Sequence, residues 1–198
     1  MTFGVACTAN KDTQADTTAS SKTTTTGTET PIASTETAVA PEVNPPGDIS
    51  DSQAFIIYQN SVGGYQLEVP EGWARSETAG TVTFISKLDG VSVKVAPASA
   101  APTVASVQSN EAKLIQSQGR AVTITSVSEA NLPGGKAAVI KYTSNSEPNS
   151  VTNKRVRLEN VAYIFYRNGK EAMLTVWAPQ GADNVDQWTR MGNSFRWL

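Results

Sequence analysis

The sequence predicts an α+β domain, an antiparallel β-sheet sandwiched with two helices, preceded by a disordered N-terminal tether. Three observations predict it. Residues 8 to 37 hold twelve threonines and no aromatic side chain, and every aromatic except Phe3 lies at Phe55 or beyond. From Ala54 onward, apolar and polar residues alternate with the period of two of a half-buried strand. Two short stretches, one behind Pro102 and one at Asp183, switch to the spacing of a helix.

The chain opens Met1-Thr2-Phe3-Gly4-Val5-Ala6-Cys7-Thr8, which resembles the end of a bacterial lipoprotein signal. There a small residue precedes a cysteine that is lipidated and becomes the new amino terminus. Residues 1–7 are therefore read as the remnant of such a signal, with the true start codon expected upstream and Cys7 as the lipidation site. Residues 8–53 read as a linker rich in threonine and proline. They bury too little apolar surface to offset roughly 1 to 2 kcal/mol of backbone entropy per residue, and so are expected to be disordered. A flexible tether of this length reaches about 35 to 40 Å. Residues 8–50 carry six acids against Lys11 and Lys22, and the rest of the chain carries fourteen basic and twelve acidic residues. No broad basic excess suits a phosphate backbone, so nucleic acid is not an expected partner.

The domain is expected over residues 54–198. Ala54 to Tyr58 and Tyr65 to Val69 read as strands joined through Ser61-Val62-Gly63-Gly64, the second stopping at Pro70-Glu71-Gly72-Trp73. Thr81 to Ile85 and Val91 to Val95 read as a hairpin around Lys87-Leu88-Asp89-Gly90, with Asp-Gly supplying the turn. Val104, Val107, Glu111, Leu114, Ile115 and Gln118 follow helical spacing behind the N-cap Thr103, and Gly119 ends that helix. Ala121 to Val127 and Ala137 to Thr143 are the next strands. Lys154 to Tyr166 and Glu171 to Ala178 form a long hairpin with Asn168-Gly169 at its tip. A short helix capped by Asp183 carries Val185, Trp188 and Met191 on one face, and Ser194 to Trp197 closes the chain as a strand.

Three places resemble the PsbP/Mog1 fold family: Gly64-Tyr65-Gln66-Leu67-Glu68-Val69-Pro70-Glu71-Gly72-Trp73, Gly135-Lys136-Ala137-Ala138-Val139-Ile140-Lys141-Tyr142, and Trp188 with Ser194-Phe195-Arg196-Trp197. The resemblance covers about residues 54 to 198 in element order. It implies a binding or assembly subunit rather than an enzyme, in the manner of a bacterial PsbP-like lipoprotein of the non-photosynthetic branch. The metal-binding histidines of the photosystem members have no counterpart in this sequence.

Chemistry is scarce. There is no histidine, which removes the usual general base and transition-metal ligand. The single cysteine lies outside the domain, so neither an internal disulfide nor a cysteine metal cluster can form. No cofactor, metal site or catalytic residue is expected. Asp183 and Asp186 suit a helix N-terminus, where acids complement the dipole. Gly134-Gly135-Lys136 lacks the spacing of a phosphate loop. In Lys154-Arg155-Val156-Arg157, Arg155 and Arg157 would share one strand face, where they can meet an acidic partner or lipid headgroups or protect a sheet edge. Trp177 alternates with Thr175 and fits either face. The expected function is an extracytoplasmic lipoprotein, membrane-anchored through Cys7 at the cell envelope, whose domain binds an unidentified protein. A small-ligand carrier with a cleft under the Val104 to Gln118 helix and a photosystem II extrinsic subunit are the alternatives.

Overall fold

The computed structural model describes residues 36–198. The chain runs β1 (Phe55–Asn60), β2 (Tyr65–Pro70), β3 (Ala74–Thr78), β4 (Thr81–Ser86), β5 (Asp89–Pro97), α1 (Val104–Ser109), α2 (Glu111–Gln118), β6 (Thr123–Leu132), β7 (Gly135–Asn145), β8 (Arg157–Arg167), β9 (Lys170–Pro179), α3 (Val185–Ser194) and β10 (Arg196–Trp197). Every strand pairing is antiparallel. The strands form two sheets, a small one ordered β1-β2-β10 and a large one ordered β3-β4-β5-β9-β8-β7-β6.

Alternation decides which face of the large sheet meets which layer. Tyr65, Leu67 and Val69 of β2 join Val91 and Val93 of β5, Val139 and Val161 of β7 and β8, and Met191 and Phe195 at α3 in one buried cluster. Phe195 stacks on Phe165 at 4.3 Å between ring centroids and lies 5.8 Å from Tyr65. Each such buried side chain contributes about 1.5 to 3 kcal/mol. On the opposite face, Ala138, Ile140, Ala162 and Ile164 pack under Val107 of α1 and Ala112 of α2. The architecture is α+β, with helices on both faces of an antiparallel sheet, as expected.

Several local expectations are corrected. The helix behind Thr103 is two helices, broken at Asn110, whose φ −115° and ψ −81° leave the helical region. Thr103 does cap it, reciprocally with Ser106: Ser106 N donates to Thr103 Oγ1 at 3.1 Å, and Thr103 N to Ser106 Oγ at 2.8 Å. Strand β3 has no apolar alternation to announce it, since all five of its residues are exposed. The β4–β5 turn is Lys87-Leu88, with Ser86 opposite Asp89, so Asp89-Gly90 belongs to the strand. Gly90 serves a close approach instead: a Cβ built there would lie 2.0 Å from Trp177 Cζ2. Asn168-Gly169 does form the β8–β9 turn, at φ 49° and 77°. Helix α3 is capped at Asn184, not Asp183, and Val185 is exposed while Gln187, Trp188, Met191 and Gly192 face inward.

The boundary near residue 53 is also corrected, because residues 36–53 are bound to the domain as a strap. Asn184, only 1% exposed, accepts from Ile49 N at 2.6 Å and donates to Gly47 O at 2.7 Å. Asp183 N donates to Asp48 Oδ1 at 2.9 Å, Glu42 pairs with Lys154, and Ile49 is buried. Composition missed this because the strap is held by backbone groups and single polar residues rather than by an apolar face. Cys7 and the rest of the tether lie outside the described residues.

Candidate functional site

Strand register assembles one row of side chains across the outer face of the large sheet. Ile124 stands opposite Tyr142, Tyr142 opposite Asn160, Asn160 opposite Trp177, Trp177 opposite Gly90, and Gly90 opposite Ile85. Helices α1 and α2 cover the β7–β8 part of this face and leave the β4–β5–β9 part open. A cleft of about 500 Å³ follows, floored by Tyr142, Asn160, Trp177, Ser92 and Thr175, with Lys87 and Glu147 at its margin.

The missing side chain at Gly90 is what lets the Trp177 indole lie down across the neighbouring strand. Asn160 is buried and fixed, donating from Nδ2 to Ser144 Oγ at 3.0 Å. Burial pushes the Tyr142 phenol up to about 12, so it stays protonated. The cleft thus offers an aromatic floor, neutral hydroxyls and two fixed amides, Asn160 and Asn145. Beneath the helices, Val107, Ala112, Ile140 and Ile164 fill the space, so the cleft lies beside the helix pair rather than under it. Among the described residues no group of three or more His, Cys, Asp or Glu side chains is positioned to hold a metal ion.

Arg155 and Arg157 do not share a strand face. Arg155 precedes β8, and its Nε lies 3.3 Å from Glu36 Oε1. Arg157 is 6% exposed and is consumed by the fold. Nη1 donates to Ala121 O at 2.7 Å and Asn145 Oδ1 at 3.1 Å, while Nη2 donates to Thr143 Oγ1 at 2.6 Å and Thr123 Oγ1 at 3.3 Å. Burial holds its pKa below the ordinary guanidinium value. Since β8 lies between β7 and β9, this basic run guards no sheet edge either. Arg157 is therefore withdrawn as a partner-binding residue, because its donors already point at four protein oxygens.

Sequence reading missed Ile85, Ser92, Tyr142, Asn160 and Thr175 as members of one surface. Alternation marks the outward parity within each strand, but only the register brings six strands into one row. Alternation with Thr175 leaves the face of Trp177 open, and in the structure it faces the cleft.

No protein-family model matches this chain, and no curated protein matches it in sequence. Among solved structures, the solution structure of cyanobacterial PsbP (CyanoP) from Synechocystis sp. PCC 6803 is similar at TM-score 0.51 and 15% identity, covering 77% of this chain and 99% of that one. The Ran-binding protein Mog1p of Saccharomyces cerevisiae is similar at TM-score 0.48 and 9% identity, covering 73% of this chain and 96% of that one. The likeness to cyanobacterial PsbP shows the fold, which is of the PsbP/Mog1 type.

Proposed function

We propose that this chain is a non-catalytic, protein-binding module displayed at a membrane surface, with Cys7 as the lipid-bearing residue and the open outer face of the large sheet as the binding surface. The observation that carries the reading is the row Tyr142–Asn160–Trp177–Gly90–Ile85. A half-buried aromatic beside fixed neutral polar groups is the composition of an interface centre. Cys7 behind Val5-Ala6 supports the anchor, and acyl chains worth about 0.8 kcal/mol per buried methylene would hold it. The cleft volume also falls in the range used by small molecules, about 300 to 1,000 Å³, so a ligand carrier is the second reading.

Photo-crosslinking in cells separates the two. A crosslinking amino acid at Ser92 or Leu88 is expected to give one discrete protein adduct, and the same group at Glu129 on β6 to give none. Trp177→Ala should reduce the Ser92 adduct at least fivefold. Equal adducts from both places would remove this face as the binding surface, and a small-molecule adduct would favour the carrier. Separately, Cys7→Ser should abolish metabolic labelling with an alkynyl fatty acid; persistent labelling would refute the anchor.

A further inference from the structure

The clamp that holds the start of the strap is built like a peptide receptor. Asn145, 4% exposed at the end of β7, presents its amide to an extended segment. Nδ2 donates to Thr37 O at 2.9 Å, and Oδ1 accepts from Val39 N at 3.1 Å. One side chain thereby satisfies a C=O and an N–H two residues apart, as an adjacent strand would. The amide is locked in that orientation by Arg157 Nη1, which donates to the same Oδ1.

Next to this bracket stands a carboxylate pocket. Glu36 Oε1 accepts from Asn145 Nδ2 at 2.8 Å and lies 3.3 Å from Arg155 Nε, and Oε2 lies 2.9 Å from Arg120 Nη2. Arg120 Nε, Arg155 Nε and Glu36 Oε2 are buried with no hydrogen-bond partner among the described residues, so both guanidiniums hold the carboxylate by charge, and Arg120 Nη1 also lies 3.5 Å from Glu147 Oε2. Thr37 and Ala38 point to solvent, whereas Val39 is half-buried. The site therefore reads an acid, two solvent-facing residues of which the first is held by its carbonyl, and a half-buried apolar residue held by its N–H.

That pattern occurs twice in the sequence. Thr35-Glu36-Thr37-Ala38-Val39-Ala40 repeats Thr28-Glu29-Thr30-Pro31-Ile32-Ala33 seven residues later. The two versions differ at the positions that tolerate it. Pro31 falls where the clamp uses no N–H, and Ile32 keeps both an N–H and a β-branched side chain.

We propose that Arg120, Arg155 and Asn145 form a recognition site for extended acidic peptides of the pattern Glu-x-x-Val/Ile, filled in the isolated chain by its own Glu36–Val39. A protein segment carrying this pattern would bind by displacing the strap's first residues, with the strap acting as an internal competitor at an effective concentration of the order of millimolar.

The test uses the full chain and a fluorescein-labelled peptide copying residues 28–33, read by anisotropy. A Glu29→Ala/Glu36→Ala chain, whose own ligands are disabled, is expected to bind the peptide at least tenfold more tightly than the unaltered chain. Adding Arg120→Ala, or replacing the peptide's glutamate by glutamine, should each cost tenfold or more. Absence of binding to the emptied chain, or binding indifferent to Arg120 and to the glutamate, overturns the proposal. If the emptied chain has no cooperative melting transition, Glu36→Gln takes its place, because it leaves the Asn145 bracket on Thr37 and Val39 intact. Its affinity must then exceed that of the unaltered chain, and equality overturns the proposal as well.

Discussion

Asp89 shows how much one side chain can ask of the fold around it. It is 6% exposed, its Oδ1 has no hydrogen-bond partner among the described residues, and the strap passes over it. Desolvation first, and then the neighbouring Asp48 carboxylate, raise its pKa from 3.8 to about 7, with Lys87 opposing. Between those two values the folded state keeps a proton that the unfolded state has lost. Stability should therefore fall as pH rises from about 4 to about 7 and be flat for this group outside that window. The cost at pH 7 and above is at most about 4 kcal/mol. Asp89→Asn removes it, so the variant should melt several degrees higher at pH 8 and about equally at pH 4. Parallel melting curves across that range would show that Asp89 ionises normally. Arg157 is the opposite case, a buried charge with both terminal nitrogens engaged, one of them on Asn145 Oδ1.

Elements owe their form to fewer residues than their length suggests. Strand β5 tolerates a glycine in its interior, ordinarily a weakness, because the Trp177 indole of β9 occupies the space a side chain would take. Gly90→Ala should drive that ring out of its place and cost about 1 to 3 kcal/mol by overpacking. It should also shift the tryptophan emission to the red. An unchanged spectrum and midpoint in urea would mean the ring has another resting place at no cost. Helix α3 is placed by tertiary contacts as much as by its own cap. The side chain of its N-cap residue Asn184 makes no bond to the helix and holds the strap instead.

At the scale of the molecule the strap is the least obvious component. It is fastened by Asn145 at Val39 and by Asn184 at Ile49, ten residues apart along the strap, with the Glu42–Lys154 pair between. Asn184→Ala would leave a buried N–H and a C=O without partners, each worth about 1 to 3 kcal/mol. Global stability should drop by about 2 to 4 kcal/mol, and proteolysis within residues 40–50 should become faster than cleavage elsewhere. A loss of stability without faster cutting of the strap would mean that Asn184 acts only through α3. The strap also lies across Asp89, so the pH dependence argued above should weaken in this variant.

Patterning alone determined the fold class, nearly all strands, the Thr103 cap and the Asn168-Gly169 turn. These depend on alternation and on local backbone preference, which are written residue by residue. Strand β3 escaped because an exposed edge strand has no apolar face to betray it. The sheet order, the row through Trp177 and the attachment of residues 36–53 were decided only by tertiary structure. Register joins residues far apart in sequence, and a strap held by Asn145 and Asn184 is specified by two amides whose partners are backbone groups of no particular residue type. The same reason separates Arg155 from Arg157. Two positions apart on the chain, they are set apart by where β8 begins and by four oxygens from β6, β7 and the loop before β6.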